Sequence, residues 1–498
     1  MANYFSDLHC HTTLFSFNRL CPDTWHEQFH PVFPAQGDFS QLCRGNVRVV
    51  MTSLYPIEQG FVTVKPLNIG VGNITDFLAK VIVAMPKQRA DEIQKFNHSY
   101  FYDLLKELEF LQHSAMPVKH KVRVKGLKKK KFSYRIVSNF NDLKSLLNLD
   151  ANLNPGVNAE DTIAVILTIE GAHSLGVGQR NTLHLNENEL KMILTENISR
   201  LKKLGPPGKE GVWCPFFVSL DHHFWNQLGG HAVSLWKVIR KVMDQTPGIN
   251  GEITEPGKFA VDELLNTENG CRRIFIDTAH MSIKVRRWYY NYLSQRSDNI
   301  PVIISHTGVN GIATMEEAEM KGTPDTIHDV ADKLYKNSTD FNPWDVFLTD
   351  EEIMIIHNSG GIIGLNLDQR IMMGKKRLDD IKKLVRGKSA EEKREIWIKP
   401  LLNQILQIAG HILSQTGQPE MIWDNICIGS DFNGMITPIK AFNSAEKFPL
   451  LQDTLFKALM KIKGTVPPLT GKTESDIRNI TDKIMWKNNL QFLEKHFH

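Results

Sequence analysis

The sequence predicts a (β/α)8 barrel, and two observations carry that prediction. Eight apolar runs of strand length recur along the chain, at 3–8, 48–55, 162–169, 215–221, 273–279, 301–305, 361–367 and 426–430. Most are continuously hydrophobic rather than alternating, as parallel strands covered on both faces are. Segments with helical spacing lie between them, so strand and helix alternate through one long chain. A doubly wound open sheet is the structural rival, but no GxGxxG follows any strand, which weighs against it.

Length and composition bound the reading. The 498 residues suffice for one large domain with insertions or two to three ordinary ones. An apolar content of 42% and a charged content of 23% belong to a soluble globular protein. The net charge of +4 is small for this length, so composition argues for neither nucleic acid nor membrane as partner. The six cysteines are scattered without a CxxC, unlike a disulfide framework or a zinc knuckle, and are read as reduced thiols. Met1 to Phe5 has neither a basic n-region nor an apolar h-region, and no run of about eighteen apolar residues occurs. The expected location is cytoplasmic.

Taken in order, the first run leads into Ser6-Asp7-Leu8-His9-Cys10-His11. Two imidazoles at i and i+2 on an extended segment point the same way and reach one cation. The second run, RVVMTSLY, opens a long insertion (about 56–160) with two helix-like stretches, 75–96 and 99–112. The insertion also holds a basic segment from Lys119 to Arg135, read as a strand, a turn at Gly126, a lysine run and another strand. A charged, solvent-exposed hairpin is the expectation there, since aromatic residues for base stacking are sparse.

The third run, TIAVILTI, delivers Glu170 in Ile169-Glu170-Gly171-Ala172-His173. A helix follows over 190–204, with Leu190, Ile193, Leu194, Ile198, Leu201 and Leu204 on one stripe and Gly205 as its stop. The fourth run gives Asp221-His222-His223, then a predicted helix over 232–243 closed by Pro247-Gly248. The fifth gives Asp277-Thr278-Ala279-His280 and a helix over 282–294; the sixth gives Ser305-His306-Thr307-Gly308. Insertions at 309–358 and 370–422 flank the seventh run, and the second contains a helix over 400–415. The eighth run ends in Gly429-Ser430-Asp431-Phe432-Asn433. No repeat or Pro/Ser-rich linker divides the chain, so a single barrel domain over 1–498 is expected.

In parallel barrels the active site lies at the carboxyl ends of the strands. Polar residues just past the runs therefore converge on one mouth: His9 and His11, Glu170, His222, His280, His306 and Asp431. One histidine at a strand end is ordinarily a core residue. The whole set points to a metal centre.

The order of these words resembles the renal (membrane) dipeptidase family of zinc peptidases in the amidohydrolase superfamily. That family opens its barrel with Asp-Gly-His-Asn-Asp, follows with Glu-Gly-Gly-His, Thr-His near a Trp and Asp-x-x-His-x-Ser, then Pro-Val-x-x-Ser-His-Ser and Gly-Asp-Phe-Asp-Gly. Here Asp7 to His11, Glu170 to His173, Asp221-His222 with Trp225, Asp277 to Ser282, Pro301 to His306 and Ser430 to Gly434 stand in those places. The tail, from Ser475-Asp476-Ile477-Arg478 to Phe492, is similar to the family's closing helix and turn. The resemblance implies two divalent metal ions, zinc by expectation. His9, His11 and Glu170 would hold one; Glu170 would bridge to a second held by His280 and His306. It further implies that His222 contacts the scissile carbonyl and that Asp431 orients and deprotonates a bridging water. Asp7 and Asp277, flanking ligand histidines, are candidates for fixing their tautomers, and His173 and His223 are left as supporting residues.

The chain departs from the family at His11 in place of Asp, Ala172 in place of Gly, Asp221 in place of Thr and Asn433 in place of the second Asp. The family's arginine that grips the substrate carboxylate has no counterpart in TGVNGIATMEEAEM after His306. Arg370, just past the seventh run, is the candidate replacement. The expected function is hydrolysis of an amide bond in a small substrate, most simply a dipeptide. The alternatives are an amidohydrolase acting on an N-acyl amino acid or lactone, a catalytically silent binding relative, and, weakest, a nucleic-acid role for the basic hairpin. Expected partners are the small-molecule or dipeptide substrate and a homodimer, with no nucleic acid and no membrane.

Overall fold

The structure, a computed structural model, describes residues 4–25, 35–63, 85–115, 120–122, 130–156, 162–240, 243–268 and 271–498. Among these residues the strands are β1 (Phe5–Cys10), β2 (Val47–Leu54), β3 (His120–Val122), β4 (Lys130–Ile136), β5 (Thr162–Ile169), β6 (Phe217–Ser219), β7 (Phe275–Asp277), β8 (Ile303–Thr307), β9 (Ile362–Leu365) and β10 (Ile426–Ile428). Eight of them lie side by side in the order β1-β2-β5-β6-β7-β8-β9-β10. Every pairing along that path is parallel. The circuit closes just past the ends of β10 and β1. Asp431 N–H donates to the His9 carbonyl at 3.0 Å, and His11 N–H donates to the Phe432 carbonyl at 2.9 Å.

Each of the eight predicted runs overlaps one of these strands. The reason is burial on both sides: every residue of β1 and of β2 is buried, polar Asp7 and His9 included. Continuous apolar sequence is what a strand between a packed barrel interior and an outer helical layer requires.

The barrel helices start and stop on local chemistry. Glu187–Lys202 opens with a capping box between Asn186 and Glu189. Ile283–Ser294 is capped by the Ser282 hydroxyl on the Val285 N–H. Lys399–Thr416 ends at Gly417, whose φ of +64° is the left-handed conformation that glycine adopts at no steric cost. The segment 309–358 contains helices Ile327–Asn337 and Asp350–Asn358, and 370–422 contains Lys375–Leu384, Ala390–Trp397 and Lys399–Thr416. A fully buried ion pair, Arg286 Nε to Glu352 Oε1 at 2.8 Å, ties two of these helices together. Arg286 also donates to the carbonyls of Asp345 (2.6 Å) and Val346 (3.1 Å), which fixes a loop that forms one wall of the barrel mouth.

One expectation changes. Of the helix predicted over 232–243, the described residues form one over Lys237–Arg240, while 241–242 lie outside the described residues. Ala232, Val233, Leu235 and Met243 are buried as a helix face would be, but the backbone before that turn bonds elsewhere: Ala232 N–H donates to the His280 carbonyl at 2.9 Å, and His231 bridges to Ile249 and Met281. Of 75–96, the helix Lys87–Ile93 is present and 75–84 lies outside the described residues; the stretch 99–112 corresponds to the helix Tyr100–Ala115. The basic hairpin exists as antiparallel β3 and β4, with its turn at Gly126 outside the described residues. Beyond the hairpin, β4 runs parallel to β5 over Ser133–Ile136. Ala164 and Val165 pair with both β2 and β4, so β4 occupies the edge of β5 opposite β2. That leaves β6 a single register pair, Ile169 with Val218, near the mouth.

The six cysteines form no disulfide. Among the described residues no helix is long and apolar enough to cross a membrane.

Candidate metal centre

The predicted residues all lie at one end of the barrel. His9 is in β1 with His11 just beyond it, Glu170 follows β5, and His222 lies three residues past β6. His280 lies three past β7, His306 is in β8, Asp431 is three past β10, and Arg370 is five past β9. Glu170 is their centre. Its Oε2 lies 2.9 Å from His11 Nε2 and 3.4 Å from His222 Nε2. Its Oε1 lies 3.5 Å from His9 Nε2, 3.2 Å from His280 Nε2 and 3.4 Å from His306 Nε2. The imidazoles also meet in pairs, His9 and His11 Nε2 atoms at 3.2 Å and those of His280 and His306 at 3.0 Å.

Donors this close fit cations held between them. Two nitrogens on one tetrahedral ion with bonds of about 2.0–2.1 Å stand about 3.3 Å apart, near both observed separations. The protonation pattern agrees. The Ser305 hydroxyl donates to Asp277 Oδ2 at 2.7 Å, so its oxygen is left to accept from His9 Nδ1 at 3.1 Å and His306 Nδ1 at 2.9 Å. With the proton at Nδ1, each ring turns a bare Nε2 lone pair toward Glu170. Burial pushes His9 down to about 3, His306 well below its ordinary value, and His280 down as well. Burial opposes a charge on Glu170, but His222, His11 and His9 outweigh it and hold the carboxyl well below the usual range. Neutral imidazoles around an ionised carboxylate are the donor set a divalent cation takes.

The tautomer role foreseen for the two aspartates is therefore indirect for Asp277 and corrected for Asp7. Asp277 acts through Ser305 and also accepts from the Ser219 hydroxyl at 2.5 Å, touching no imidazole itself. Asp7 accepts from the N–H and hydroxyl of Ser430, at 2.9 and 2.5 Å, and so latches β1 to the loop that carries Asp431. His173 is structural, its Nε2 2.8 Å from the Pro56 carbonyl. Asn433 explains its own departure from the family word. Its amide donates to the His11 carbonyl at 3.1 Å and accepts from Gln36 N–H at 2.8 Å, which a carboxylate cannot do at once.

Two of the predicted residues sit in the left-handed backbone region, His280 at φ +66° and Asp431 at φ +59°. Non-glycine residues persist there only when their surroundings fix them, commonly at functional sites. Asp431 turns back over Gly434, where a Cβ would come within 1.8 Å of Asp431 Oδ1, so only glycine fits. Asn366 donates to Asp431 Oδ2 at 3.0 Å, and Oδ1 faces His9 and His11 Nε2 at 3.9 and 3.7 Å. Burial and the neighbouring Glu170 charge push Asp431 well above the carboxylate range. A cation beside it reverses that tendency.

Glu58, in the loop after β2, is a residue that sequence reasoning missed. It is buried and takes three bonds: His222 Nδ1 at 2.6 Å, the Tyr55 hydroxyl at 2.8 Å and the Phe224 N–H at 3.0 Å. Burial opposes its ionisation, but His222 outweighs burial and holds the carboxyl at about 2. Burial likewise works against a charge on His222, and Glu170 and Glu58 together raise it above its ordinary value. With Nδ1 committed to Glu58, His222 donates from Nε2 only as an imidazolium, the charge state that the two carboxylates favour. Nothing in the sequence around Glu58 distinguishes it from other loop acids. Ser305, by contrast, was legible as the neighbour of His306.

The centre opens into a cleft of about 810 Å³, counting its open mouth, lined on the metal side by Glu170, His222, His280, His306 and Asp431. Its far walls are apolar, with Phe61, Leu235, Trp236, Trp344, Phe347 and Met435. Arg370 reaches this cleft but is held within the chain. Its Nε lies 3.0 Å from both Asp368 oxygens, one Nη pairs with Asp368 Oδ2, and the guanidinium stacks 4.6 Å above the Trp236 ring.

No protein-family model matches this chain, and no curated protein matches its sequence. Solved structures do match its fold. One is described as the dipeptidase AC, a metallopeptidase, with a TM-score of 0.52 and 14% identity over 100% of this chain and 99% of the other. Another is a metallopeptidase from Rhodobacter sphaeroides liganded with a phosphinate mimic of the dipeptide L-Ala-D-Ala, with a TM-score of 0.51 and 14% identity over 100% of both chains. The chain thus has the (β/α)8 barrel fold seen in these metallopeptidase structures.

Proposed function

We propose that this protein is a metal-dependent hydrolase of the renal dipeptidase family that cleaves the amide bond of a small substrate, a dipeptide in the first instance. The observation that carries the reading is the ring of imidazoles about one carboxylate. His9, His11, His222, His280 and His306 all bring Nε2 within 2.9–3.5 Å of Glu170. The likeness in fold to a dipeptidase and to a metallopeptidase that binds a dipeptide mimic supports it.

His9, His11 and Glu170 would hold one divalent ion, and Glu170, His280 and His306 a second, zinc being the expected metal. When bound, two such ions polarise the scissile carbonyl and lower the pKa of water toward neutrality. The chain's own residues do the rest. Asp431, with Oδ2 fastened by Asn366, uses Oδ1 to take the proton of the attacking water and return it to the leaving amine. His222, charged through Glu58, donates to the carbonyl oxygen as negative charge develops there. The apolar walls exclude water from the reacting groups. The test is amino-acid release across a panel of dipeptides in L,L and L,D forms, with metal content measured on the same sample. Protein carrying two ions that releases nothing from any of them removes the dipeptidase reading.

Arg370 would supply the grip on the substrate carboxylate, in a weakened form. A free guanidinium fork offers two parallel charge-assisted bonds. Here Nε and one Nη serve Asp368, so one Nη is left for a substrate. A single bond to a charged group predicts a preference for a dipeptide over its C-terminal amide on the order of tenfold. Arg370→Ala should bring the two rates together. A strong preference for the free acid that survives Arg370→Ala would exclude this role. Equal rates on acid and amide in the wild type would favour the second reading, an amidohydrolase acting on an N-acyl amino acid or a lactone.

A further inference from the structure

The cleft contains one histidine that this mechanism does not use. His223 follows His222 and packs against it at 3.9 Å between ring centroids, with His280 at 4.9 Å and Phe61 at 5.5 Å. His222, His223 and His280 each offer an atom within 4.8 Å of the others, so His223 has the position of a further metal ligand. Its hydrogen bonds argue for a different role. His223 Nδ1 lies 2.6 Å from Ser234 Oγ, and Ser234 Oγ lies 2.7 Å from Gln245 Nε2. The Gln245 amide is oriented from both ends: Oε1 accepts from Leu235 N–H at 3.3 Å, and Nε2 donates to the His223 carbonyl at 3.0 Å. Gln245 therefore donates to Ser234. The one acceptor seen for the serine proton among the described residues is His223 Nδ1.

A neutral imidazole whose Nδ1 accepts carries its proton on Nε2. An N–H cannot ligate a cation, so the nitrogen His223 leaves free is a hydrogen-bond donor. It lies in a cleft with apolar wall residues Phe61, Leu235, Trp236 and Ile239, and a low-dielectric setting strengthens a bond to any ligand oxygen that enters. We infer that His223 donates from Nε2 to an oxygen of the bound substrate beside the metal centre, and that Ser234 and Gln245 fix the tautomer that makes it a donor. The inference rests on the hydrolase reading above. The oxygen belongs either to the scissile carbonyl or to the substrate's carboxylate.

The experiment uses the zinc-loaded full chain as wild type, His223→Ala, His223→Gln and Ser234→Ala. Metal content should be the same in all four; an ion lost from both His223 variants makes His223 a ligand and overturns the inference. Nitrogen-15 spectra of histidine-labelled wild type, with His223 identified by the signals missing in His223→Gln, should place the proton on Nε2. A proton on Nδ1 overturns it. In Ser234→Ala the same signals should shift toward a mixture of tautomers. In kinetics, His223→Ala should lose about tenfold in kcat/KM, and His223→Gln, which keeps a donor, should recover part of the loss. A loss confined to the free dipeptide identifies the carboxylate, an equal loss on the C-terminal amide identifies the carbonyl, and no loss on either sinks the proposal. A wild type that hydrolyses no dipeptide would instead end the dipeptidase reading, while the nitrogen signals still decide the donor assignment.

Discussion

Replacing Glu170 with alanine is expected to remove both metal ions and all measurable hydrolysis. Glu170 is the carboxylate on which His9, His11, His222, His280 and His306 converge, Oε2 toward His11 and His222 and Oε1 toward His9, His280 and His306. Without it, two neighbouring cations lose the anion shared between them, and their mutual repulsion is uncompensated. Metal analysis of purified Glu170→Ala checks the claim. Two tightly held ions in that variant would show that the bridge is misassigned. The same geometry sets a pH dependence. Ligand imidazoles must be neutral, and burial holds His9 at about 3 and His306 well below its ordinary value. Protons then displace the ions only as pH falls below the ordinary imidazole range of about 6.5.

The second large effect belongs to Asp431→Asn. Asparagine adopts positive φ about as readily as aspartate, so the backbone at +59° and the turn over Gly434 should survive. The amide oxygen can still accept from Asn366, as Asp431 Oδ2 does at 3.0 Å. The variant loses the group that takes and returns a proton, worth roughly two to four orders of magnitude in turnover. It is expected to fold, to carry wild-type metal and to be slower by that factor. Metal content and turnover must come from one preparation. Loss of an ion would make Asp431 a ligand first, and near-normal turnover with full metal would exclude it as proton carrier.

Much of this molecule was legible in its sequence, for one physical reason. Strands buried on both faces write continuous apolar words such as TIAVILTI, and a parallel barrel brings the residues at the carboxyl end of each word to one mouth. Glu170, His222, His280 and Asp431 could therefore be gathered without knowing any helix position. The features that escaped notice depend on side-chain direction rather than order. Glu58 reaches His222 from a loop, with no spacing to announce it. The segment 232–243 has helical periodicity, but its backbone bonds along itself only from Trp236 onward, while Ala232 bonds across to the loop after β7. β4 turns from its hairpin to claim an edge of β5, a choice between two partners that composition leaves open. Arg370 lines the cleft, and its engagement by Asp368 two residues away is visible only as geometry.

The most direct test of the central claim tracks metal and activity together. Purified protein is assayed for amino-acid release on its best dipeptide, stripped by a chelator, assayed again, and reloaded by titration with zinc. The account predicts that about two ions leave per chain, that hydrolysis disappears with them, and that it returns only as the second equivalent of zinc is bound. Full activity in the stripped protein, or complete recovery at one equivalent, would contradict it.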